Sequence, residues 1–182
     1  QSFILEAFFM QKSIWIFGIL AGIICALLEY LFFKSTGANA NTMYLAKLAV
    51  LLVCIVFGLI LIKKLIGGTI SIGRTIMSGV MIALVRAIVM IAAFSFFYYP
   101  SGEFYKEKLD ISYEQAAKKI AADEKVKPAD KPMALKETKA QIVNQYQPTG
   151  YSLITIGMSI VTGLIISILM AAFIGTNMMY QE

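Results

Sequence analysis

Three charged residues interrupt otherwise apolar stretches of this chain: Glu29, Lys47 and Arg86. A charge at the centre of a bilayer costs about 2.5–3.5 kcal/mol on insertion scales, so each of them needs a partner, water or a function. One interpretation is a polar pocket in which Glu29 handles a proton or cation and Arg86 grips an anionic headgroup or substrate. The alternative is structural: Glu29 neutralises Arg86 or Lys47 so that the helices can insert. Arg86 is the strongest single candidate, because it is the deepest charge and does not readily lose its proton.

The remaining residues offer little catalytic chemistry. Histidine is absent, which excludes histidine-based acid–base catalysis and imidazole ligation of zinc or haem. Cys25 and Cys54 each lie inside an apolar run and are interpreted as small buried hydrophobes, not as disulfide or metal ligands. No P-loop, GxSxG motif or intramembrane aspartate pair occurs. We therefore expect no catalytic residues, no cofactor and no metal, and predict that the protein is not an enzyme.

The composition indicates a membrane protein. Of 182 residues, 59% are hydrophobic and 15% are charged, and the mean hydropathy is +0.75. A soluble domain usually carries about 25% charged residues. The net charge is +5, but the basic residues flank or interrupt apolar runs. They are better explained by orientation in a lipid bilayer than by nucleic-acid binding, so no nucleic-acid partner is expected.

The elements that position these charges are four apolar runs, each long enough to span a bilayer, at about 13–33, 44–62, 75–99 and 151–174. The predicted fold is an all-α membrane protein with four transmembrane helices and an extracytoplasmic helical hairpin inserted between spans 3 and 4. Three regions follow. Residues 1–99 hold an N-terminal interfacial segment and the first three helices, 100–150 form the insert, and 151–182 hold the fourth helix and a cytoplasmic tail.

The insert has a different composition from the spans. It contains nine lysines, eight acidic residues and all four prolines of the chain. Helical spacing predicts an apolar stripe on its first half, and a smaller one on its second half at Leu135, Ile142 and Tyr146. The smaller stripe covers only part of the larger, so the first becomes a candidate partner-docking face, formed by Tyr105, Leu109, Tyr113 and Ile120. The alternative is a solvated loop.

Orientation follows from the short loop 63–74, which carries Lys63, Lys64 and Arg74 and no acid. Positive loops stay on the cytoplasmic side. The sequence therefore predicts that both termini are cytoplasmic and that the insert lies outside, in a multi-pass protein of a bacterial inner membrane.

Small residues recur at helical spacing on three of the four spans. They are Gly18, Gly22 and Ala26; Gly79, Ala83 and Ala87; and Gly163, Ser167, Ala171 and Gly175. Such faces let helices approach closely in lipid. They indicate either a compact bundle or a subunit that docks onto another protein.

The stretch GGTISIGRTIMSGVMIALVRAIVMIAAFSFFYY, between Lys63–Lys64 and the charged insert, resembles an uncharacterised family of four-span inner-membrane proteins. That family, domain of unknown function number 4199, is common in Bacteroidota. Its most specific motif is the turn at 68–73, and the resemblance covers about 14–175. The resemblance implies an inner-membrane location and a long insert between spans 3 and 4, but no activity. Members of the family are often encoded near membrane glycosyltransferases, which suggests such an enzyme as a partner.

Two competing hypotheses from different classes therefore remain, and the first is favoured. The first is a non-catalytic membrane subunit that docks onto and stabilises or positions a larger assembly, such as a membrane glycosyltransferase or another membrane enzyme. The second is a small transporter or lipid-binding protein that uses Glu29, Lys47 and Arg86.

Overall fold

The computed structural model describes residues 2–34, 40–66, 68, 70–99 and 102–174 of the chain. Gly175 and the predicted tail lie outside these residues. Within them the fold is all-α, with no strand. The helices are α1 (Ser2–Lys34), α2 (Ala40–Leu65), α3 (Ile72–Ala93), a π-helical segment (Phe94–Tyr98), α4 (Glu103–Ala122), α5 (Lys131–Gln145) and α6 (Pro148–Ile174).

Four of these helices are long and apolar enough to cross a membrane, which confirms the predicted all-α class with four candidate spans. The candidate spans are Phe8–Leu31, Thr42–Leu65, Ile72–Tyr98 and Pro148–Phe173. The segment predicted to be interfacial continues into the first span without a break, as the first turns of α1. Between the second and third spans, Gly68 adopts a φ of 100°, a left-handed conformation that glycine reaches without strain.

The chain divides into two compact units, Gln1–Met90 with Thr155–Glu182, and Ile91–Ile154. The first unit holds most of the four spans. The second holds α4 and α5 together with the end of the third span and the first turns of α6.

Small residues set the packing of the first unit. A Cβ at Gly18 would lie 2.5 Å from Cβ of Val85, and a Cβ at Gly163 would lie 2.6 Å from Cβ of Ala83. These distances are shorter than any packed contact, so α1 and α6 each approach α3 through a glycine. The small-residue faces of these spans are thus occupied inside the bundle, with α3 between α1 and α6.

Branched and aliphatic side chains fill the space between the helices of this unit. Buried residues from α1, α2, α3 and α6 form one cluster: Ile14, Leu51, Ile55, Leu59, Ile62, Ile82, Ala83, Val85 and Ile166, with Ile70 from the turn before α3. The opposite faces expose large apolar side chains along every span, and α6 is the least buried of the four. Such faces are typical of helices that contact lipid acyl chains.

In the second unit, α4 and α5 run antiparallel. Lys131 Nζ donates to the carbonyl of Ala121 at 2.7 Å, near the connection between the two helices. Farther along, Lys139 Nζ lies 5.3 Å from the centre of the Tyr113 ring. Antiparallel neighbours are expected where the connection is short, here between Ala122 and Lys131.

Candidate functional site

The first pair of predicted site residues is an ion pair. Lys47 Nζ on α2 lies 3.6 Å from Glu29 Oε2 on α1, and the Glu29 side chain is 2% exposed while that of Lys47 is 16% exposed. Both lie near the ends of their spans, Glu29 two residues before Leu31 and Lys47 five residues after Thr42. The structure thus gives Glu29 a cationic partner at the depth that the short connection between the two helices requires.

Arg86 reaches two other spans. Its Nε donates to Cys25 Sγ on α1 at 3.3 Å, and its Nη1 donates to Ser159 Oγ on α6 at 3.1 Å. Cys25 Sγ in turn donates to the backbone carbonyl of Lys47 at 3.7 Å. These contacts join with the Glu29–Lys47 pair in one polar network of five residues: Glu29, Lys47, Cys25, Arg86 and Ser159. The network links all four spans.

The positive and negative charges within this network do not cancel. Glu29 and Lys47 balance one another, whereas both hydrogen bonds of Arg86 go to neutral groups. A guanidinium carries five N–H donors and stays protonated in proteins. Two are used here, which leaves three. In the part of the chain that the structure describes, Arg86 therefore keeps a full positive charge and donors that face no carboxylate.

Sequence reasoning placed Glu29, Lys47 and Arg86 in one cluster but missed Cys25 and Ser159. Cys25 is one helical turn before Glu29, and that i, i+4 spacing is the signal that would have placed the thiol on the same face. Ser159 is fully buried in α6. Nothing in its local sequence distinguishes it from other hydroxyl residues of that span, because its partner is 73 residues away.

The predicted docking face on α4 is partly covered. Tyr105, Leu109, Tyr113 and Ile120 are each half-buried. The Tyr105 ring lies edge-on to Tyr99 at 5.1 Å between ring centres. Burial, aided by the nearby Tyr99 and Tyr113, raises the pKa of the Tyr105 phenol above its ordinary value. Among the described side chains of α4, the most buried are instead Lys108 and Ala116, on an adjacent face.

No cluster of three or more histidine, cysteine, aspartate or glutamate side chains that could hold a metal ion occurs among the described residues. The charges of the site are those of its own side chains. An ion pair lies near one end of the bundle, and beside it lies a guanidinium with further N–H donors. Chemically, such a group binds oxyanions, since its planar donors match phosphate and carboxylate oxygens.

Comparison with known proteins agrees with the resemblance noted from the turn at 68–73. A family model described as a protein of unknown function, DUF4199, matches residues 16–176. No curated protein matches the chain. No solved structure matches it either. The match covers most of the first span, the other three spans and both helices between the third and fourth, and the chain therefore belongs to the family of proteins of unknown function DUF4199.

Proposed function

We propose that this protein is a non-catalytic, multi-pass membrane protein that binds the phosphate headgroup of an anionic lipid within its four-helix bundle. The observation that carries the proposal is the bonding of Arg86, which lies midway along the third span and, among the residues that the structure describes, donates to Cys25 and Ser159. Both of these acceptors are neutral. A permanent charge in that position calls for an anion.

The charge of Arg86 cannot be removed by proton loss, since a guanidinium does not deprotonate in proteins. Glu29 is the acid of the network, and its ion pair with Lys47 already offsets it. Lipid phosphates are the anions that surround any membrane protein. A phosphate diester offers two charged oxygens to the three remaining N–H groups, and charge-assisted hydrogen bonds of this kind are the strong ones.

The depth of the site favours a headgroup that is drawn below the membrane surface. Cys25, which accepts from Arg86, lies six residues before the end of the first span at Leu31, or about 9 Å at 1.5 Å per residue. Ile88 on α3 is 57% exposed, and Met158 and Ile160 beside Ser159 are also exposed. These apolar neighbours suit acyl chains lying against α3 and α6 while the phosphate reaches Arg86.

The proposal is tested by measuring the lipid that stays with the protein. Wild type, Arg86→Gln and Arg74→Gln are purified from bilayers of phosphatidylglycerol and phosphatidylcholine, and bound lipid is counted by mass spectrometry. Arg74 is the matched control, because it is the other arginine of the chain and is exposed at the start of α3. We expect Arg86→Gln to retain at least about tenfold less phosphatidylglycerol, since a charge-assisted hydrogen bond contributes roughly 1.5–3 kcal/mol. Equal retention by all three proteins would contradict the proposal.

A second experiment distinguishes a lipid headgroup from free phosphate as the ligand. The same proteins in a neutral detergent are titrated with inorganic phosphate and, separately, with short-chain phosphatidylglycerol, and their thermal unfolding is followed. Stabilisation of wild type by the lipid and not by inorganic phosphate supports a lipid ligand. Stabilisation by inorganic phosphate alone would contradict the lipid and indicate a soluble anion.

The accessory-subunit hypothesis draws less support. The small-residue faces contact other spans of the same chain, as at Gly18 and Gly163. A docked partner on α4 predicts that Leu109→Asp with Ile120→Asp releases an associated protein while the spans stay folded, because carboxylates are costly at an apolar contact. An unchanged list of co-purified proteins from both preparations would contradict docking through this face.

The location and orientation belong to the same proposal. The loop before α3 carries Lys63, Lys64 and Arg74, which favours a cytoplasmic position for this loop. Since the spans alternate in direction, both termini then lie on the cytoplasmic side and α4 and α5 lie outside. We assign the protein to a bacterial inner membrane on this basis and on the family resemblance.

A further inference from the structure

Lys108, on α4 in the second unit, is a lysine that the protein buries almost completely. Its side chain is 2% exposed. Its Nζ lies 5.0 Å from the centre of the Tyr146 ring, and 5.7 Å from the centres of both the Phe94 and Tyr151 rings. Buried lysines are rare, so an ammonium within 6 Å of the centres of three aromatic rings calls for a physical reason.

The three rings come from three different parts of the second unit. Phe94 begins the π-helical segment at the end of the third span, Tyr146 is the C-cap of α5, and Tyr151 is the fourth residue of α6. Phe94 and Tyr151 stack at 3.9 Å between ring centres with 11° between their planes. The π turn is closed by a hydrogen bond from the Tyr99 backbone N–H to the Phe94 carbonyl at 2.8 Å. Single π turns are frequent at functional sites, because they change the direction in which side chains project.

The arrangement has the chemistry of an ammonium receptor. Aromatic faces within about 6 Å attract a cation through the ring quadrupole, and sites that recognise quaternary ammonium groups are built in this way. Here the cation is supplied by the protein itself. The Tyr146 hydroxyl also lies 3.4 Å from Ser112 Oγ, one turn after Lys108, so the same face of α4 contacts this ring twice.

We infer that Phe94, Tyr146 and Tyr151 form an ammonium-binding cage whose resident occupant is Lys108, and that this contact latches α4 and α5 onto the ends of the third and fourth spans. The latch makes these helices move together with those span ends. An alkylammonium ion is the chemical class of ligand that occupies the same cage when the Lys108 ammonium is removed.

The test uses hydrogen exchange of the α4 amides in the full-length protein in detergent. Lys108→Met, which keeps the length of the side chain and removes its charge, should exchange about tenfold faster than wild type, the order that desolvated cation–π contacts support. Lys108→Arg, which keeps a cation, should stay near the wild-type rate. Lys118→Met is the matched control on the exposed side of the same helix and should have no effect.

Chemical rescue distinguishes the cage from ordinary packing. In Lys108→Ala, ethylammonium chloride should slow the exchange of the same amides back toward the wild-type rate, and sodium chloride at equal concentration should not. Tyr146→Leu removes one wall of the cage and should weaken the rescue. The inference is overturned if Lys108→Met exchanges at the wild-type rate, or if the two salts act equally on Lys108→Ala.

Discussion

The close approach of α1 to α3 gives the sharpest prediction about the bundle. Gly22 is buried, and a Cβ placed on it would lie 2.5 Å from Cβ of Val89 and 3.2 Å from the backbone carbonyl of Arg86. Val89 is β-branched and stiff, and the carbonyl belongs to the helix backbone. Neither can give way cheaply, so Gly22→Ala should force α1 and α3 apart at the level of the polar network.

The magnitude follows from two opposing terms. Alanine is the better helix former by about 1 kcal/mol, which favours the substitution. Overpacking a close contact costs typically about 1–3 kcal/mol, which opposes it. Gly157 on α6 has nothing within 4 Å of its Cβ position, so Gly157→Ala carries the first term without the second. The difference between the two variants isolates the clash, and amounts to about 1–3 kcal/mol.

The assay is thermal unfolding of wild type and both variants in one detergent. For a chain of this length each kcal/mol shifts the midpoint by roughly 2–4 °C, so Gly22→Ala should unfold about 2–12 °C below Gly157→Ala. Gly18→Ala, which meets Val85 in the same way, should behave like Gly22→Ala. Equal midpoints for Gly22→Ala and Gly157→Ala would refute the packing of α1 against α3.

Two further predictions concern the ion pair and the orientation. Glu29→Gln and Lys47→Met should each lower thermal stability, because each removes the opposite charge from a largely buried ion pair, and the double substitution should recover part of the loss; additive losses would show that the two charges do not interact. A membrane-impermeant thiol reagent applied to right-side-out vesicles should label Glu124→Cys and spare Ser71→Cys, both of which are exposed positions; the reverse pattern would invert the proposed orientation.

The spans could be predicted from the sequence because they depend on a property of contiguous residues. A run of about 20 apolar residues has few alternatives to a helix in a membrane, where backbone groups must bond within the segment. The residues at which the spans end are harder to predict from the sequence. The third span was predicted to end at 99, and it closes with a π turn from Phe94 to Tyr98, in which Phe94 stacks on Tyr151. That contact joins residues 57 positions apart in the sequence.

Only the charged residues of the candidate site could be predicted from the sequence. Glu29, Lys47 and Arg86 stand out because charges are costly inside a membrane. Which of them pair depends on the rotation of each helix about its axis, and that rotation is set by glycine contacts such as that of Gly22 with Val89. The burial of Lys108 could not be predicted from the sequence at all. A lysine among other charged residues is usually solvated, and only the folded chain brings the aromatic rings around it.

Contact between the Arg86 guanidinium and a lipid phosphate can be measured directly by solid-state NMR. The chain has two arginines, so Arg74→Gln leaves Arg86 as the single guanidinium and its labelled nitrogen signals need no further assignment. In bilayers containing phosphatidylglycerol, dipolar coupling between these nitrogens and lipid phosphorus reports direct contact. If Arg86 binds a lipid phosphate, phosphorus should strongly dephase the signals of the Arg86 nitrogens. Nitrogen signals that phosphorus leaves unaffected would contradict it.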